Sequence, residues 1–202
     1  MARIVRKRNP PQYSRYQDYK SDLRLDFSNR CAYCTIHEFT WGGPRNFDVE
    51  HFRPKSIPRF RKLALVYTNL YYSCNRCNDF KGTKWPSPKQ VKRGIGFIDP
   101  CKDSLTRHFR DRGDGCLDHF TPSGEFMVKQ ICLNREPLVL LRNRRREALR
   151  EIRDVTKNLR AAVRQRAAGQ GDSTILDRVI PQLERYIARL IEHNFRPPVP
   201  PT

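Results

Sequence analysis

The chain is predicted to be α+β, with a small core of two short strands stapled by a four-cysteine zinc site, a helix before it and a helical hairpin after it. Two Cys-x-x-Cys pairs, Cys31/Cys34 and Cys74/Cys77, bracket the expected core. Between them, "FDVEH" and "LALVYTNLYYSC" have the alternation and the β-branched and aromatic content of strands. Beyond Pro137, apolar residues recur at helical spacing over two long stretches.

Residues 1–30 are expected to hold a basic arm, "RIVRKR", that either follows a phosphate backbone or lacks order, and then a helix running from the Pro10–Pro11 pair to near Asn29. In that helix Tyr16, Tyr19, Leu23 and Phe27 fall at three- and four-residue steps, which marks a face packed on the core. Residues 31–85 form the core. Phe47, Val49 and His51 alternate with Asp48 and Glu50, and Pro54 ends the strand because it cannot donate to a ladder. "NDFKGTK", after the second cysteine pair, opens a helix or a tight loop.

Residues 86–135 read as a loop-rich connection, with turn punctuation in "DRGDGCLDHFTPSGEF" around a hairpin. Residues 136–195 are an arginine-rich helical region. Leu138, Leu141, Ala148, Ile152, Val155, Leu159 and Ala162 make one stripe, interrupted by Arg145, that a second helix from "STILDRVI" onward would cover. Pro181 kinks that second helix or marks its start. Residues 196–202 are a proline-rich tail.

A formal charge of +19 over 202 residues favours a polyanionic partner, nucleic acid first. No apolar run approaches the roughly 20 residues that span a bilayer, and the N-terminus has no apolar segment of the secretory kind, so a cytoplasmic protein without membrane contact is expected. Seven cysteines, an odd number, then favour metal ligands and buried thiols over a disulfide framework. Two knuckles supply the four sulfurs of a structural zinc site. A redox pair fits poorly, because neither Cys-x-x-Cys is expected to open a helix within a βαβ unit. Cys101, His108, Cys116 and His119 form a weaker second metal set, and Cys101, Cys116 and Cys132 read more simply as small buried hydrophobes.

From Cys31 to Lys84 the chain resembles the HNH endonucleases, through "VEH", "NLYYSC" and "CNDFKG" set between two zinc knuckles. The resemblance implies a ββα-metal core. It implies His51 as general base, Glu50 and Asn78 as ligands of a catalytic Mg2+ or Mn2+, and Asn69 as the residue that orients the histidine, directly or by bracing a loop. Glu50 stands where Asp is commoner, and Asn78 replaces the final histidine of the family name. The chemistry asks for these types independently: neutral imidazole makes a nucleophile from water, and a hard cation on oxygen ligands neutralises the leaving oxygen. Asp48 either supports that metal shell or is a solvated strand acid. Arg53, Lys55, Arg76, Lys81 and Lys84 are substrate-binding candidates, each either a phosphate contact or ordinary basic surface, with Lys81 favoured because it shares a helical face with Asn78.

The wider order "EHFRPKS", "NLYYSCNRCNDFKG", "FIDPCKDSLTRHF", "DGCL" and "ICLNREPLVLLRNRRREAL" is similar to the HNH proteins of prokaryotic anti-phage systems, Septu-type and retron-associated ones included. That resemblance implies a nuclease of DNA, with RNA equally open to the chemistry, acting beside an ATPase partner. The arginines Arg142, Arg144, Arg145, Arg146, Arg150 and Arg153 then serve either DNA or that partner. The competing reading is a non-catalytic zinc module that binds nucleic acid or recruits a partner.

Overall fold

The computed structural model describes residues 4–170 and 173–195. The chain is α+β and divides into two compact units, residues 1–139 and 140–202. The proline-rich tail lies outside the described residues.

In the first unit, a 3-10 turn at Tyr16–Tyr19 leads into helix α1, Lys20–Asp26. The helix begins later than its sequence predicts. Arg15 is extended, the Tyr13 N–H is spent on the Tyr19 hydroxyl and not on a helical carbonyl, and the arm is used differently. It is docked on the core: Arg6 lies 4.7 Å over the Tyr67 ring and donates to the carbonyls of Tyr67 and Leu70, while the Lys7 ammonium pairs with Asp22 and its backbone N–H donates to Asp26, both on α1. The expected phosphate-tracking or disordered arm is corrected accordingly at Arg6 and Lys7. Tyr19, Leu23 and Phe27 are buried, and Tyr16 is half-buried. Ser28 and Asn29 end the helix in the left-handed region, where the Asn29 N–H closes onto the Arg24 carbonyl at 2.8 Å.

Strands β1, Phe47–His51, and β2, Leu70–Cys74, pair antiparallel, with Phe47 opposite Cys74, Glu50 opposite Tyr71 and His51 opposite Leu70. The period of two puts Phe47, Val49 and His51 on one face and Asp48 and Glu50 on the other. Phe47 stacks on Tyr72 at 4.7 Å on the first face. Helix α2, Asn75–Lys81, follows β2 without a loop and lays Asn78 and Lys81 against the acids. Cys74 caps α2 and Cys77 sits in its first turn, so the second knuckle does open a helix. The helix leaves an antiparallel hairpin and not a βαβ unit. Gly82, at φ +48°, takes the chain out of α2 through a conformation that a side chain would strain.

The connecting segment is more regular than expected. Helix α3, Pro88–Lys92, opens with a Ser87/Gln90 capping box. The expected hairpin is present as β3, Phe109–Asp111, against β4, Leu117–His119. "TPSG", read as a turn, starts helix α4, Pro122–Gln130, because Thr121 accepts from the Gly124 N–H and Pro122 is at the first helical position. Met127, Ile131, Leu133 and Leu138 are fully buried and extend the core.

Helix α5, Glu136–Ala167, carries the predicted stripe, with Leu138 and Ala148 buried and Arg145 exposed. Helix α6, Ser173–Phe195, runs through Pro181, which therefore does not mark its start. Arg166 pairs with Asp177 at 2.7 Å and Tyr186 donates to Glu151, so the two helices form an antiparallel hairpin. Among the described residues no helix is long and apolar enough to cross a membrane.

Candidate active site and metal centre

The four predicted cysteines meet. Their sulfurs all lie within 4.8 Å of one another, and Cys34 and Cys74 are 3.8 Å apart. With Zn–S bonds of about 2.3 Å, the edge of a sulfur tetrahedron is about 3.8 Å, so the cluster matches the size of a zinc site. Burial pushes the Cys34 and Cys77 thiols up, whereas Cys31 is drawn below its ordinary value against its burial by hydrogen bonds from the other three. A cation is what would let all four be thiolates together. Among the described residues no second cluster forms. His108 is instead held between Asp103 at 2.9 Å and Thr121 at 2.7 Å, while Cys116 and Cys132 are only half-buried and Cys101 is buried.

His51 ends β1, nearly buried, with the edge of its ring against Tyr16. Its Nε2 is 3.0 Å from the Ala64 carbonyl oxygen. A carbonyl only accepts, so Nε2 carries the hydrogen and the lone pair of the neutral ring is on Nδ1. Burial lowers the imidazole's pKa below its ordinary 6.5, and the cations Lys55 and Lys81 act in the same direction, against the Ala64 carbonyl.

The Asn69 side chain bonds to backbone and not to the imidazole. Its Oδ1 accepts from the Arg53 N–H at 2.9 Å, and its Nδ2 donates to the carbonyls of Arg53 and Leu63 at 3.1 and 3.2 Å. It thereby ties the residues after His51 to the residue before Ala64, bracing the loop that holds His51 at one remove. Replacing Asn69 by alanine leaves those backbone groups unpaired in a site only 5% exposed. The expected loss of unfolding free energy is about 1–3 kcal/mol, read from urea denaturation.

Glu50 is 3% exposed and lies between two donors. Lys81 Nζ donates to its Oε1 at 2.5 Å, and Tyr33 Oη donates to its Oε2. Burial pushes the Glu50 carboxyl up, against the Lys81 ammonium and the Tyr33 phenol, which favour its ionised form. Lys81 also donates to the His51 carbonyl at 3.0 Å, faces the Phe97 ring and has no exposed surface. Its expected place at a substrate phosphate is therefore corrected. A three-residue step from Asn78 turned it inward onto the acidic face of β1. Asn78 and Asp48 face each other, Nδ2 to Oδ2 at 3.2 Å, and both are half-buried.

The remaining predicted cations stay on the surface. Arg53, Lys55, Arg76 and Lys84 are exposed. Lys55 sits 3.8 Å over the Tyr16 ring that touches His51, and Lys84 reaches the Gln130 carbonyl. Sequence reasoning missed Tyr33, whose signal was only its place inside a knuckle, and Ala64, whose contribution is a backbone oxygen that no residue type announces.

No protein-family model matches the chain. It is similar to Septu protein PtuB of Bacillus mycoides (strain KBAB4), 27% identical over 152 residues, which cover 62% of this chain and 50% of that protein. It is also similar to Septu protein PtuB of Bacillus thuringiensis, 26% identical over 136 residues, which cover 65% of this chain and 49% of that one. The chain spans about half the length of the curated relatives it matches.

Proposed function

We propose that the chain is a metal-dependent HNH-type endonuclease of an anti-phage defence system, hydrolysing DNA phosphodiester bonds beside an ATPase partner. The observation that carries this reading is the contact between His51 Nε2 and the Ala64 carbonyl, because it leaves a neutral imidazole with Nδ1 as proton acceptor. The likeness to Septu protein PtuB supports the defence setting. The four-cysteine cluster is read as structural zinc.

In this reading His51 takes the proton of a water at Nδ1, and the Ala64 carbonyl stabilises the imidazolium that forms. Asn69 keeps that carbonyl and the end of β1 in register. The acidic face of β1 offers oxygen donors suited to a hard divalent ion, so Mg2+ or Mn2+ fits the chemistry of Asp48, Glu50 and Asn78. Glu50 enters that shell only by exchanging Lys81 or Tyr33, whereas Asp48 and Asn78 are half-exposed and need give up only the bond between them. When bound, the ion would supply neutralisation of the charge on the leaving oxygen. Arg53, Lys55, Arg76 and Lys84 grip flanking phosphates, and the arginines of α5 contact DNA or the partner.

Supercoiled plasmid incubated with Mg2+, Mn2+ or EDTA, beside His51→Ala, tests the reading. Relaxation or linearisation is expected only with metal, and roughly 10²- to 10⁴-fold slower in the variant. Two proteins that bind DNA equally and leave it intact would favour the non-catalytic zinc module. Because the charged form of His51 is disfavoured, activity should persist as pH falls and be lost only with an inflection below 6.5.

A further inference from the structure

Arg135 lies in the turn between α4 and α5, at a position to which no sequence pattern gave a role. Its Nη2 donates to Cys77 Sγ at 3.3 Å and approaches Cys74 Sγ at 4.0 Å. Its Nη1 donates to the carbonyls of Ile131 and Cys132, each at 3.2 Å, and the guanidinium lies over the Phe80 ring. The left-handed Cys132, at φ +52°, belongs to the turn that offers those two carbonyls. The guanidinium is therefore gripped at one nitrogen by backbone and aimed with the other at the sulfur cluster.

Charge explains why a cation belongs there. Four thiolates around a divalent metal carry a net charge of −2, and Cys31, Cys74 and Cys77 are buried. Such a charge away from water calls for a counter-charge or hydrogen-bond donors. Arg135 supplies both, and it reaches the sulfurs of the second knuckle, the one that caps α2. A planar guanidinium can bind backbone and sulfur at once, which an ammonium on a flexible stem does less well.

We propose that Arg135 is the outer partner of the thiolate metal centre: it offsets the charge of the cluster and sets how firmly Cys74 and Cys77 hold the metal. The proposal rests on the reading of the four cysteines as a metal site and not on nuclease activity. The turn before α5 is consequently tied to metal occupancy. Partners of this kind commonly change metal affinity by 10- to 100-fold when removed.

The test uses the full chain loaded with Co2+, whose sulfur-to-metal absorption reports the thiolates directly. A wild-type protein without that absorption would overturn the metal reading and the proposal with it. Given the band, Arg135→Gln is expected to move it to longer wavelength, because loss of a nearby positive charge raises the sulfur lone pairs. Release of Zn2+ to excess chelator should speed up at least about tenfold. Alkylation followed by mass spectrometry should show Cys74 and Cys77 modified faster, with Cys31 and Cys34 changed less; a general loosening would expose all four alike. Arg135→Lys keeps the charge but not the fork, and its release rate should fall between those of wild type and Arg135→Gln. If Arg135→Gln does not fold, Arg135→Lys decides alone. An unchanged band and release rate in the folded variant would overturn the role.

Discussion

Lys81→Met is expected to destabilise the protein by about 3–5 kcal/mol, because it strands the Glu50 carboxylate in the interior without its cation. The pair is completely enclosed, with side-chain exposures of 0% and 3%, so solvent cannot substitute for the lost ammonium. The same nitrogen also holds the His51 carbonyl, so the end of β1 loses an anchor together with the charge pair. Urea denaturation measures the effect. Combining Lys81→Met with Glu50→Gln should recover part of the loss, since an amide tolerates burial beside Tyr33 better than an unpaired carboxylate. A change below about 1 kcal/mol in the single variant would show that the buried pair does not form.

Cys74→Ser is expected to have the largest effect of all. Wild-type protein should contain one zinc per chain, and the variant none, with loss of the cooperative unfolding transition. Structural zinc contributes folding free energy directly, with apparent values of about 10–16 kcal/mol in small zinc domains. Cys74 is fully buried, ends β2, caps α2 and pairs in register with Phe47. Removing its sulfur therefore loosens the strand and the helix that carry His51, Asn78 and Lys81. Prolonged dialysis of wild type against a chelator should reproduce the same unfolding. A Cys74→Ser protein with unchanged metal content and an unchanged transition would rule out the cluster as a metal site.

The parts of the fold legible in the sequence were those with a local period or a close pair. The cysteine knuckles announced themselves by spacing. "FDVEH" gave its alternation, and the stripe from Leu138 to Ala162 gave a helix that needs a cover. What was not legible was direction. Lys81 had the right helical step from Asn78, yet a lysine on so basic a chain reads as surface, and only the tertiary fold shows that α2 lies on the acids of β1. The arm at Arg6 and Lys7 was misread for the same reason, since its partners Asp22 and Asp26 are remote in sequence and the carbonyls of Tyr67 and Leu70 leave no trace in residue type. "TPSG" carried both a turn signal and a helix-start signal, and the Thr121 cap decided between them.

The functional reading rests on one proton. His51 is proposed to be neutral at pH 7 with its hydrogen on Nε2, donated to Ala64, and its lone pair on Nδ1. Long-range proton–nitrogen correlation of 15N-histidine-labelled protein, with His51→Gln to assign the ring, observes this directly. At pH 7 Nδ1 is expected to be unprotonated and Nε2 protonated, with both nitrogens protonated only below pH 6.5. A His51 ring already charged at pH 7, or carrying its hydrogen on Nδ1, would contradict it.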